Sequence, residues 1–90
     1  MFNSTQGDAN MLRVIQRLPA VQHKSGLSRS TIYLRISQGL WTKPVSLGGR
    51  AIGWPDDEVD TLNAARIAGK TDDEIRVLVQ SLHAARKDAL

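Results

Sequence analysis

Two glycines, Gly26 and Gly39, limit how the first half of this 90-residue chain folds. Glycine adopts the left-handed conformation that ends many helices, so each of them predicts a helix end. Pro19 suits the first turn of the helix before Gly26, and Ser28 suits the N-cap of a second helix over residues 28–38. Two short helices joined by such a glycine-containing turn predict a helix-turn-helix.

A helical wheel divides the second helix into two faces. The expected core face holds Ile32, Tyr33, Ile36 and the following Leu40. The opposite face holds Ser30, Thr31, Leu34, Arg35 and Gln38. This second face is small, polar and cationic apart from Leu34, a composition that suits the major groove of DNA. Tyr33 stays open, because its ring fits the core while its hydroxyl fits a phosphate.

A Gly-Gly pair between apolar alternations predicts a β-hairpin over residues 45–54, with Arg50 near its tip and a loop of two or three residues. A hairpin that follows a helix-turn-helix is a wing. The strand expected over Met11–Ile15 is a candidate third strand, and we interpret Trp41 and Trp54 as core anchors rather than base-stacking residues.

The second half predicts two more helices. Pro55 and three acidic residues open the first, and Gly69 ends it. A capping box, Thr71 to Glu74, opens the last helix, which runs to about Lys87. Its apolar stripe comprises Ile75, Leu78, Val79 and Leu82. The stripe fits either packing on the core or a dimer seam. The expected fold class is mainly α with a small β-hairpin wing, a winged helix-turn-helix plus an extra C-terminal helix.

Charge is distributed unevenly along the chain. Residues 11–50 carry +7 and no acid, through Arg13, Arg17, Lys24, Arg29, Arg35, Lys43 and Arg50, whereas residues 55–90 carry −3. An acid-free cationic stretch attracts a polyanion, so this charge pattern fits either a nucleic-acid-binding surface or a solvated basic face in the first half. We expect a disordered arm over 1–10, the DNA-binding domain over 11–68, and the C-terminal helix over 71–88, for packing or self-association.

Enzymes and metal proteins are disfavoured by what the sequence lacks. It has no cysteine, no P-loop string and no serine with plausible histidine and acid partners. His23 and His83 lack ligand spacing and are expected to face solvent, so no metal or other cofactor is predicted. We read the acidic clusters as helix-start residues. The missing catalytic motifs predict a protein that is not an enzyme. No membrane span or secretory signal is evident, which predicts a cytoplasmic location.

The strings RLPAV (17–21), GLSRSTIY (26–33) and PVSLGGRAIGWP (44–55), with Glu58-Val59, resemble the AlpA family. These are prophage regulators and excisionase-like proteins with a MerR-like winged helix-turn-helix. The resemblance covers residues 12–68 and departs at Leu34, where many members have a basic residue. It implies specific binding to double-stranded DNA through Ser28, Arg29, Ser30, Thr31, Tyr33, Arg35 and Arg50, to which we add Lys43.

Roles for these residues follow from their chemistry. Ser28 and Thr31 are candidates for capping or phosphate contacts, Ser30 and Arg35 for base edges, and Arg50 for the minor groove or flanking backbone. One recognition helix reads few base pairs, so a homodimer or cooperative oligomer on DNA is expected. The alternatives are a protein-interaction adaptor using the C-terminal helix, or a phage packaging DNA-binding subunit.

Overall fold

The computed structural model describes residues 13–88, which form four helices and a small three-stranded sheet. The elements are β1 Ile15–Gln16, α1 Leu18–Ser25, α2 Arg29–Ser37, β2 Val45–Ser46, β3 Ile52–Pro55, α3 Asp56–Ile67 and α4 Asp72–Lys87. The predicted fold class, a winged helix-turn-helix with an extra C-terminal helix, is confirmed. The arm predicted over residues 1–10 lies outside the described residues. None of the helices between residues 13 and 88 is long and apolar enough to cross a membrane.

The helix-turn-helix forms at the residues that the sequence indicated. Gly26 adopts a left-handed φ of 72° at the end of α1, and its N–H donates to the carbonyl of Gln22 over 2.9 Å. Ser28 caps α2, because its Oγ accepts a hydrogen bond from the N–H of Thr31 at 3.2 Å. Gly39, with φ 76°, follows the end of α2. Each break therefore has a local cause.

The sheet has the order β1-β3-β2, and both pairs are antiparallel. The predicted third strand does join the hairpin, but it pairs only at Ile15–Gln16; Met11 and Leu12, where we expected it to begin, lie outside the described residues. At the other edge, Leu47 N–H donates to Ala51 O at 2.8 Å and closes a loop of three residues. Of the two predicted loop lengths, the longer one is correct.

The core contains residues from all four helices, from β3 and from the connector after α2. The buried apolar residues are Val21, Ile32, Leu40, Trp41, Trp54, Val59, Leu62, Ala65, Ile75 and Val79. Both tryptophans are core anchors, as predicted, and the indole N–H of Trp54 donates to Thr42 O at 2.8 Å. Tyr33, which the sequence leaves open between the core and the surface, is 37% exposed and does not belong to the buried core.

The last helix begins at the predicted capping box, with both of its hydrogen bonds formed between Thr71 and Glu74. Its apolar stripe packs against the chain's own core: Ile75 and Val79 are buried, and the two other members are half-buried. These contacts hold α4 on the chain's own core, and self-association through this helix stays a prediction. That position places α4 beside the connector between α2 and the wing.

Candidate DNA interface

Three hydroxyl groups meet at the N-terminus of α2. The hydroxyl of Ser28 donates to Thr31 Oγ1 at 2.9 Å, and the Oγ atoms of Ser28 and Ser30 lie 3.3 Å apart. The first turn of α2 contains no acidic residue, whereas the first turns of α3 and α4 contain three each. The free N–H groups and positive dipole end of a helix favour an anion, so this terminus is suited to a phosphate.

The outward face of α2 consists of Ser30, Tyr33, Leu34 and Ser37, all of them exposed. This differs from the helical wheel, because Thr31 is half-buried rather than outward. Ile32 is fully buried and centres the inner side of the helix, which turns Tyr33 outward. We name these four exposed residues the outward face.

Arg29 and Arg35 flank the outward face on opposite sides. Arg29 is exposed, and its guanidinium lies 5.7 Å from the centroid of the Tyr33 ring, a cation–π geometry. Arg35 is half-buried and lines a hollow with Leu27, Trp41 and other residues of α1 and α3. The predicted base-reading arginine is therefore not one of the four residues of the outward face.

The wing carries its cation at the tip. Arg50 is exposed in the closing loop, directly after two glycines with positive φ, 100° at Gly48 and 57° at Gly49. A positive φ favours glycine, so the two glycines allow a tight turn at the tip of the wing. The arginine is thus presented beyond the sheet on a short, closed loop.

At the wing base, the exposed Lys43 has its backbone held by α4. Its N–H donates to Nε2 of His83 at 3.0 Å, and its carbonyl accepts from the guanidinium of Arg86 at 2.6 Å. The prediction that His83 faces solvent is wrong, since this side chain is half-buried and its Nε2 is a hydrogen-bond acceptor. Burial, followed by the nearby Arg86 charge, lowers the pKa of His83. His23 is exposed, as predicted.

Glu58 forms the most enclosed ion pair of the described residues. Its side chain is 1% exposed, and Arg86 donates to both carboxylate oxygens, at 2.7 and 2.8 Å. The sequence predicts only a helix-start role for Glu58, and the structure adds this buried ion pair. The place of Glu58 on the same side of α3 as Leu62 and Ala65, four and seven positions later, was the signal in the sequence that it turns inward.

The basic first half is partly neutralised by the acidic start of α3. Arg13 pairs with Asp57 at 3.0 Å, and Lys24 pairs with Asp56 and, at 2.7 Å, with Asp60. The hydrogen bond between Lys24 and Asp56 raises the pKa of Lys24 and lowers that of Asp56. Within residues 13–88, five of the seven cations of the acid-free stretch remain outside ion pairs: Arg17, Arg29, Arg35, Lys43 and Arg50.

The contacts gather the predicted site residues only in part. Ser28, Ser30 and Thr31 form one cluster, and Arg29 joins Tyr33. The other three predicted site residues lie on different elements: Arg35 in α2, Lys43 in the connector and Arg50 in the loop of the wing. Among the described residues, no group of three or more His, Cys, Asp or Glu side chains is arranged to hold a metal ion.

Comparison with known proteins places this interface in a family. The family model described as prophage CP4-57 regulatory protein (AlpA) matches residues 13–67. The chain belongs to the AlpA family. The helix-turn-helix and the wing both lie within the matched residues. The family match ends before Asp72, so α4 lies outside it.

A relative of the AlpA-family chain comes from a phage. The chain is 50% identical over 54 residues to the uncharacterized protein ORF88 of enterobacteria phage P4. That match covers 60% of this chain and 61% of the relative, so it spans about three fifths of each protein. No solved structure matches the chain.

Proposed function

We propose that the chain is a sequence-specific double-stranded-DNA-binding protein of a prophage or mobile element, acting as a transcriptional regulator, an excisionase-type factor, or both. It reads the major groove with α2 and contacts the flanking groove or backbone with the wing. The observation that carries this proposal is the acid-free, outward-facing α2, flanked by arginines that no carboxylate neutralises. Its place of action is the cytoplasm, where such DNA lies, and its role there is binding rather than catalysis.

The side chains divide by their reach and chemistry. At the start of α2, Ser28, Arg29 and Thr31 position the helix on a phosphate, aided by the exposed hydroxyl end of Tyr33. Ser30 and Arg35 face base edges, where serine is permissive and arginine prefers guanine. At the wing, Arg50 enters the minor groove or contacts its phosphates, and Lys43 contacts the backbone at the wing base.

Two or more copies bind together, because a single recognition helix reads too few base pairs for a unique site. Half-sites are expected about one helical turn apart, at about 34–36 Å or a multiple of it. Footprinting and stoichiometry at saturation test this arrangement. A single isolated contact site occupied by one copy contradicts it.

Selection of bound sequences from random DNA, followed by salt titration on the selected duplex, tests the function. Four of the five unpaired cations, all except the base-reading Arg35, are expected to contact phosphates. The expected slope of log K against log salt is therefore about −3.6, at about −0.9 for each phosphate contact. Arg50→Ala is expected to reduce the slope by about 0.9 on every duplex. The control Lys70→Ala removes an exposed cation from the α3–α4 turn and leaves the slope unchanged. No selected sequence, or an affinity indifferent to salt, contradicts the proposal.

The two alternative functions gain nothing from the described contacts. An adaptor would bind its partner through the apolar stripe of α4, but Ile75 and Val79 of that stripe are buried in the chain's own core. The phage packaging role shares the DNA-binding surface, and no feature of residues 13–88 favours packaging over regulation. Regulation therefore remains the single proposal.

A further inference from the structure

Leu34 is the large aliphatic residue among the four residues of the outward face. It is 55% exposed, and its neighbours on that face, Ser30 and Ser37, are short and polar. The hydroxyl of Ser37 donates to the carbonyl of Leu34 at 2.6 Å, so this donor is engaged within the helix. Leu34 therefore projects from α2 with small side chains on either side.

An exposed leucine on a protein surface is ordinary and needs no explanation by itself. Its position decides the matter here, because this face is the one proposed to enter the major groove. A leucine side chain has no hydrogen-bond donor or acceptor, so it cannot read the polar edge of a base. Among the four standard bases, thymine presents an apolar group in the major groove, its C5-methyl.

We propose that Leu34 packs against a thymine methyl group and thereby selects a T·A pair within each half-site. This assignment rests on the proposed function and names the chemistry by which α2 reads its site. It differs from reading by Arg35, which donates hydrogen bonds and cannot sense a methyl group. Arg35 and Leu34 thus read different chemical groups of the bases.

Deoxyuridine substitution tests the assignment directly, because uracil lacks only the methyl group of thymine. Each thymine of the selected duplex is replaced in turn, and affinity is measured by fluorescence anisotropy. At one position per half-site the wild-type protein is expected to lose about fourfold, which is ~0.8 kcal/mol for one buried methyl group converted at ~1.4 kcal/mol per tenfold. Leu34→Ala is expected to bind the thymine and uracil duplexes equally.

Ser37→Ala is the matched control on the same face, and it keeps the fourfold preference for thymine. A wild-type protein that loses less than about twofold at every thymine overturns the assignment, since one buried methyl group is worth about fourfold. A uracil penalty that persists unchanged in Leu34→Ala overturns it as well, because another residue then reads the methyl group. Failure of the wild-type protein to prefer any duplex is distinguishable from both results, and it overturns the proposed function itself.

Discussion

Arg86→Met tests the buried ion pair that connects α4 to the family core. The substitution leaves the carboxylate of Glu58, 1% exposed, without its two hydrogen bonds from the guanidinium. Breaking a buried pair by removing one partner costs about 3–5 kcal/mol, because an uncompensated charge stays buried. Arg13, at 3.8 Å from the same carboxylate, compensates in part, so the lower limit of about 3 kcal/mol is expected.

Thermal and urea unfolding followed by circular dichroism measure this loss. For a domain of this size, about 3 kcal/mol corresponds to a fall in Tm of about 12–24 °C. Arg66→Met is the matched control, because the side chains of its pair with Asp72 are 35% and 58% exposed. A pair in that setting is worth about 0–1 kcal/mol.

A second variant separates the buried charge from general loss of packing. Adding Glu58→Gln to Arg86→Met removes the unpaired carboxylate, so the double variant is expected to recover part of the lost stability. The reasoning is refuted if Arg86→Met costs no more than Arg66→Met, or if the added Glu58→Gln lowers the stability further.

Three further predictions concern the interface, the pH response and the sheet. Arg35→Ala is expected to weaken the selected duplex by about 1–3 kcal/mol while changing random DNA less, measured by competitive anisotropy; equal losses on both duplexes remove this residue from base reading. The pKa of His83 is lowered in the folded protein. The free energy of unfolding, measured in urea, is therefore expected to be unaffected by this group above its ordinary pKa of about 6.5 and to decrease as the pH falls below that value. His83→Gln, which keeps an acceptor but does not titrate, is expected to flatten that part of the profile, and an unchanged profile contradicts this. Gly53→Ala is expected to cost about 1–3 kcal/mol in urea unfolding, because the added Cβ comes within 2.5 Å of Ile15 Cγ2; a neutral effect contradicts this.

Local features of the fold were predictable because their causes lie within a few residues. Gly26 ends α1 through its own left-handed conformation, and Ser28 and the Thr71–Glu74 capping box act on N–H groups at most three positions away. The caps, the glycines and the apolar runs together predicted the order of the elements. These features depend on local geometry, which a single sequence displays directly.

The rotation of α2 about its axis was not predictable from its own residues. A wheel places Ile32 and Ile36 inward, but the exact direction depends on the core formed by distant residues such as Trp54. In the structure Tyr33 is exposed, whereas Arg35 is half-buried. The side chains that read DNA therefore depend on tertiary packing.

Charge pairing across the chain was also hidden. Residues 11–50 contain no acidic residue, but the sequence does not show that Arg13 and Lys24 are neutralised by carboxylates 32–44 positions away. Glu58 and Arg86, 28 positions apart, form their fork only because α3 and α4 pack side by side. Such long-range pairs reduce the cations available to phosphate from seven to five.

Amide chemical shifts recorded while the selected duplex is titrated in at low ionic strength test the central claim most directly. The account predicts that residues 28–37 and 48–50 shift progressively, while the amide of Val77, exposed on α4, stays still. Stationary amides over 28–37, with perturbation confined to α4, contradict the claim that α2 and the wing hold the DNA.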